Sequence, residues 1–290
     1  MKTLFACFVL FLVSVSAYPQ AGKVIESMSF KGKNGESIKF SVYLPADYAT
    51  SQRSYPVVYL LHGFSDDETG WIQFGEANQI ADKGIAEGKI PPCVIIIPDG
   101  KVSWYCNSYD KKTTWEDTFV NEFLPFVEKE YRIRAKKEFR AIAGLSMGGY
   151  GALKLSMRHT DLFSTCVALS SGTFTDEEIE KMEDSGYQHY FAGLFGKDLK
   201  GSARLNDVWK SNNPLDLIHS VTPEQLKTVR YWIDCGDDDF LCNGNSALHV
   251  EMRKAGIPHE YRVRDGSHSW SYWRSGLATG LEYIGEKFHR

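Results

Sequence analysis

The stretch "FRAIAGLSMGGYGAL", Phe139 to Leu153, decides how the chain reads. A run of apolar residues leads straight into Gly144-Leu145-Ser146-Met147-Gly148, and the helix-capable segment "YGALKLSMRH" follows at once. Two readings compete here. One is an ordinary glycine-rich turn; the other is a tight strand-to-helix elbow that lifts a serine hydroxyl clear of a sheet. The elbow needs residues without side chains on both flanks of the serine, because the backbone doubles back on itself. Gly144 and Gly148 stand there, and the strand-like text before and helix-like text after favour the elbow. The start of such a helix also sets positive partial charge where an oxyanion develops.

A serine hydroxyl is a weak nucleophile at neutral pH, so it needs a base, and the base needs an acid to orient it. With an elbow of this kind the chain order is serine, acid, histidine, each on a loop after a strand. His249 lies in a helical pattern, His259 enters a strand and His289 is nearly terminal. His268 follows "HEYRVRDGS" on a loop bounded by Gly266, which makes it the candidate base. The acid stays open on spacing alone, since "YWIDCGDDDFLCNGN" offers Asp234, Asp237, Asp238 and Asp239. Asp234 belongs to the strand and is less free to reach a loop histidine. Three consecutive carboxylates after Gly236 cannot all be buried cheaply. An oxyanion hole takes two backbone amides. Met147, next after the serine, is one, and Phe64, beyond Gly63 in "YLLHGFSDDETGW", is the expected other. His62 precedes the serine and reads as a structural hydrogen-bonding residue.

Outward from the elbow, "KVIESMSF" and "SIKFSVYLP" alternate in polarity around Asn34-Gly35 and read as an antiparallel hairpin. "PVVYLLHG", "CVIIIPDG", "FRAIAGLS", "TCVALSSG", "RYWIDCG" and "HEYRVRDG" read as strands, several of them apolar enough to be covered on both faces. Helical patterns separate them: "GEANQIADKGIAEGK", "WEDTFVNEFLPFVEKEY", "GGYGALKLSMRH", "NSALHVEMRKAG" and "GLATGLEYIGEKF". The alternation implies an α/β fold with a mostly parallel central sheet, an N-terminal antiparallel hairpin and helices on both faces. From Thr173 to about Pro223 the text is helical and polar with no convincing strand. It is too long for a normal crossover, so it is an insertion above the strand ends that shapes a binding site, or else an elaborated pair of surface helices.

The N-terminus, "MKTLFACFVLFLVSVSAYPQ", has a basic start, a short apolar run and a small-residue cleavage pattern ending at Ala17. That is the layout of a secretory signal peptide over residues 1–17, which leaves a single domain over 18–290 in a secreted or periplasmic protein. The net charge of −4 and the lack of a basic stripe argue against nucleic acid or an anionic membrane as partner, and no membrane role is expected once the leader is cleaved. No CxxC pair or HExxH occurs, so neither a metal nor a cofactor is expected. Beyond the leader stand Cys93, Cys106, Cys166, Cys235 and Cys242, an odd number that leaves at least one thiol free. Cys235 with Cys242 and Cys93 with Cys106 are the candidate pairs, and Cys166 the candidate buried thiol.

Taken together, "LLHGFSDDETGW", "PDG" with "SWYCNS", "GLSMGGYGAL", "IDCGDDDFL" and "DGSHSWSYW" resemble the esterase D and feruloyl esterase type of α/β-hydrolase, placed in carbohydrate esterase family 1. The resemblance covers nearly the whole chain after the leader. It implies an α/β-hydrolase fold with Asp239 as the acid, His268 as the base of a Gly-x-His-x-Trp motif, and Phe64 and Met147 as the oxyanion amides. One departure is the serine in Asp265-Gly266-Ser267-His268, where many relatives carry a second glycine. Members act on different esters: feruloyl groups on xylan, acetyl groups on xylan, S-formylglutathione in the cytoplasm, or long mycolyl chains. A leader argues against the glutathione branch. Trp104 and Tyr105, after the strand "CVIIIPDG", together with Trp71 and Trp270, are expected at the mouth of the site, where aromatic faces stack on sugar or cinnamate rings. Trp273 is expected to pack the histidine loop against the last helix. The expected partner is plant cell-wall polysaccharide or its feruloylated or acetylated oligosaccharides. The alternatives are acetyl xylan esterase, siderophore or other small-ester hydrolase, and a non-catalytic carbohydrate-binding protein on a hydrolase scaffold.

Overall fold

The computed structural model describes residues 21–289, so the expected leader lies outside the described residues. Eight strands form one sheet in the order β1-β2-β4-β3-β5-β6-β7-β8. β1 (Lys23–Lys31) and β2 (Ser37–Leu44) pair antiparallel, and β2 pairs antiparallel with β4 (Val94–Pro98). From β4 through β3 (Val57–Leu61), β5 (Arg140–Leu145), β6 (Thr165–Leu169), β7 (Arg230–Gly236) and β8 (His259–Arg264), every pairing is parallel.

β3, β4, β5 and β6 are buried at every position. Their near-continuous apolar text permits this, because helices cover both faces of a parallel sheet. Successive side chains point to opposite layers: Val57, Tyr59 and Leu61 enter one core, Val58 and Leu60 the other. The helical stretch 115–130 and the helices Met147–Arg158 and Cys242–Lys254 close the first core. Ala77–Ala86 and Trp270–Phe288 close the second. Within 115–130 a π turn, Phe119–Phe123, precedes Pro125, whose missing N–H interrupts the regular ladder. This is the α/β-hydrolase arrangement read from the sequence. No helix among the described residues is long and apolar enough to cross a membrane.

The chain places β4 on one side of β3 and then β5 on the other, which opens a crevice at the carboxyl ends of β3 and β5. Between β6 and β7 run only short helices, among them Asp176–Lys181, Asp184–Tyr190 and Ala192–Phe195. Arg204, 1% exposed, knits this segment together through the carbonyls of Ile179, Met182 and Leu199 and the Asp184 carboxylate.

Two expectations are corrected. The last helix starts at Trp270, ahead of "GLATGLEYIGEKF", so Trp270 and Trp273 belong to it. None of the candidate cysteine pairs is bridged. Cys93 packs in the second core and Cys106 in the first, with the sheet between them. Cys166 is buried, as read, and burial pushes its thiol up to about 12.

Candidate active site

At the end of β5 the chain enters the helix Met147–Arg158 through Ser146, whose φ of 52° and ψ of −119° are unusual for a residue with a side chain. Such a conformation costs on the order of 1–3 kcal/mol and persists only where the surroundings fix it. Here they do: the Ser146 amide donates to the Leu169 carbonyl at 2.9 Å, and its carbonyl accepts from the Gly172 amide at 2.8 Å. A Cβ on Gly148 would run into the Leu61 and His62 carbonyl oxygens, and one on Gly144 into the Gly148 carbonyl. The two glycines let the helix begin directly against the end of β3.

His268 reaches this serine from the loop before the last helix. The Ser146 hydroxyl lies 3.0 Å from His268 Nε2, and His268 Nδ1 lies 2.9 and 3.1 Å from the two Asp239 carboxylate oxygens. Asp239 is 2% exposed and also accepts from the Leu241 amide at 2.9 Å. Burial pushes its carboxyl up, but the hydrogen bonds from His268, the Leu241 amide and Ser170 outweigh burial and hold it below its ordinary value. An ionised Asp239 keeps the proton on Nδ1, which leaves Nε2 as acceptor for the serine proton. Trp273 stands edge-on to the imidazole, with centroids 4.7 Å apart, and donates its indole N–H to Ser170.

The other three aspartates are occupied differently. Asp234 is 1% exposed within β7 and is gripped by the Arg264 guanidinium and the Tyr272 hydroxyl. Asp237 and Asp238 stay exposed while strapping the acid loop to the histidine loop: the Gly266 amide donates to Asp237 Oδ1, and the Asp238 amide to the Gly266 carbonyl, each at 3.1 Å. Asp237, Asp238 and Asp265 come together at the surface, all exposed, as solvated loop carboxylates do.

The Phe64 and Met147 amides have no acceptor among the described residues. Gly63 lies against Leu145 and Ser146, which brings the Phe64 loop to the elbow. His62, fully buried, accepts from the Gly100 amide at Nε2 and bonds the Gly63 carbonyl through Nδ1, at 2.8 and 2.7 Å. Through these two bonds the ring clamps the loops after β3 and β4 together.

Ser146 and His268 open into a cavity of about 920 Å³. Trp104 and Trp270 line it. Tyr105 and Trp71, expected beside them, do not. Trp104 and Tyr105 both have positive φ, 50° and 58°, so the chain turns sharply between them. Trp104 joins the cavity wall against Tyr150 and Phe191, whereas Tyr105 is fully buried, its hydroxyl donating to the His62 carbonyl. Trp71 is also fully buried; its indole N–H donates to the Leu61 carbonyl, and its ring supports Trp270 edge-on at 5.3 Å. Sequence reasoning missed Phe174, Met182, His189, Tyr190 and Phe240 as lining residues. The first four come from the insertion, where the aromatic run "YQHYF" was the available signal.

The comparisons with known proteins place the chain among esterases. A family model described as "Putative esterase" matches residues 32–284. A solved ferulic acid esterase superposes with a TM-score of 0.79 at 30% identity, over 93% of this chain and 99% of that one. An acetyl esterase of Caldicellulosiruptor saccharolyticus is 27% identical over 233 residues, covering 78% of this chain and 82% of its own. An esterase of Mycobacterium tuberculosis is 29% identical over 251 residues, 79% of this chain, and the match spans about half, 52%, of that longer protein. With a family model running from the first hairpin to the last helix, the chain belongs to the putative esterase family.

Proposed function

We propose that the protein is an exported serine carboxylic-ester hydrolase acting on plant cell-wall polysaccharide esters, with feruloyl esters of arabinoxylan as its first substrates. The observation that carries this reading is the hydrogen-bonded series Ser146–His268–Asp239 opening into an aromatic-walled cavity. In the first step His268 takes the serine proton as Ser146 Oγ bonds to the ester carbonyl carbon. The Phe64 and Met147 amides hold the oxyanion, the bond to the alcohol oxygen breaks, and His268 returns the proton to that oxygen. In the second step water, deprotonated by the same histidine, attacks the acyl-enzyme. The acid leaves and Ser146 regains its proton. Asp239 orients the imidazole and stabilises its charged form.

The aromatic walls favour a cinnamate over an acetate. A flat ring gains contact against Trp104 and Phe174, and acetate makes no use of such a wall. Released ferulate and acetate are to be measured with methyl ferulate and acetylated xylan, for wild type and Ser146→Ala. The reading predicts ferulate release that falls on the order of 10⁴-fold or more in the variant with the fold retained. Acetate alone would replace ferulate by acetyl xylan as the substrate, and near-wild-type turnover in Ser146→Ala would remove the mechanism.

A further inference from the structure

The aromatic rings around the cavity fall into two flanks. On one, Phe64 meets Trp104 and Tyr190, and Trp104 meets Phe174, with ring centroids 5.0–6.4 Å apart. On the other, Phe240 and Trp273 each stand 4.7 Å from the His268 ring, and Trp270 packs on Trp273. Among the described residues no ring of one flank pairs with a ring of the other.

The chemistry assigns the flanks. A tetrahedral centre on Ser146 Oγ carries an oxyanion, an acyl chain and an alcohol oxygen. The oxyanion goes to the Phe64 and Met147 amides. The alcohol oxygen must take its proton from His268 Nε2, so the alcohol lies on the His268 side. The acyl chain is left with the Trp104 side.

Exposure agrees with this division. Trp104 is 4% exposed, which suits an acyl group that ends inside the protein. Phe240 is 68% exposed, which suits an alcohol continuing into solvent as a polymer. Phe240 is also rigidly mounted. Its neighbours Asp239 and Leu241 are both 2% exposed, and the Leu241 and Cys242 amides donate to the Asp239 side chain and carbonyl at 2.9 Å. Leaving a phenylalanine in water forgoes the free energy of burying it, yet this one sits exposed beside the imidazole on a fixed frame.

We infer that Phe240 is the platform for the leaving alcohol, stacking on the carbohydrate ring that carries the ester. The inference rests on the esterase reading above and names the half of the site that holds the sugar. The test compares kcat/KM of wild type, Phe240→Ala and Phe240→Trp on methyl ferulate and on a feruloylated arabinoxylo-oligosaccharide. The expected result is a loss in Phe240→Ala at least about five-fold greater on the oligosaccharide than on methyl ferulate. The extra loss should sit in KM and be restored by Phe240→Trp. Equal losses on both substrates would mean that Phe240 only shields His268, and equal rates across the three proteins would mean that the sugar lies elsewhere; either overturns the platform while the esterase reading stands. Absence of ferulate release from both substrates by the wild type would overturn the ferulate reading and the platform with it.

Discussion

Lys154 shows how much of the site depends on a residue that never reaches it. It is fully buried on the elbow helix, and its ammonium donates to Glu116 Oε2 and to the Tyr105 carbonyl, both at 2.7 Å. Glu116 also faces Arg158 and His159, at 3.3 and 2.9 Å. Burial pushes the Glu116 carboxyl up, but Lys154, His159 and Arg158 outweigh it and hold the group well below its ordinary value. Removing Lys154 leaves Glu116 only Arg158 and His159, both partly exposed, and breaking a buried pair costs up to about 3–5 kcal/mol. Lys154→Met should therefore lower the denaturant midpoint sharply, read by urea unfolding. The pH sign follows from the depressed carboxyl. As pH falls, the unfolded chain takes up the proton first, so the stability from Glu116 is present above its ordinary value of 4.5 and drains away below it. Melts from pH 7 to pH 3 should show stability declining across the acid end for wild type, and a shallower decline for Glu116→Gln. Asp239, also depressed, acts in the same direction.

At the scale of elements, one substitution has opposite consequences at two glycines. Gly148→Ala drives a Cβ into the backbone carbonyls at the end of β3, which have nowhere to move, and the variant should fail to accumulate as folded protein. Gly193, in the helix Ala192–Phe195, has open space around it, so Gly193→Ala should stabilise by about 0.5–1 kcal/mol. Parallel urea melts and expression yields check both. The same contrast explains what the sequence disclosed. The elbow was legible because its constraint is local: no side chain fits at Gly144 or Gly148, and the chain itself spells strand, turn and helix. The inner strands were legible because double-sided burial leaves a continuous apolar run. Which way Tyr105 faces was not legible, since two consecutive positive-φ residues turn the chain between it and Trp104. The insertion's lining residues were hidden for a different reason. Short helices locked by Arg204 carry little periodicity of their own, and tertiary packing places Phe174 and Tyr190 over the cavity.

Across the whole molecule, the sheet's switch between β3 and β5 gathers loops that lie far apart in the chain. Ser146 comes from the end of β5, Asp239 from beyond β7, His268 from beyond β8 and the Phe64 amide from beyond β3. The order serine, acid, histidine was readable from sequence, but the choice among four aspartates came from family resemblance. Partners and exposure separate them physically: Asp234 is already held by Arg264, and Asp237 and Asp238 face water, which leaves Asp239 to the imidazole. On the proposed reading this assembly makes Ser146 a nucleophile. Its most direct test is to expose the purified protein to an aryl fluorophosphonate and map the adduct by peptide mass spectrometry. A single adduct on Ser146 is expected, formed orders of magnitude more slowly in His268→Ala. Label elsewhere, or equally fast labelling of Ser146 without His268, would contradict it.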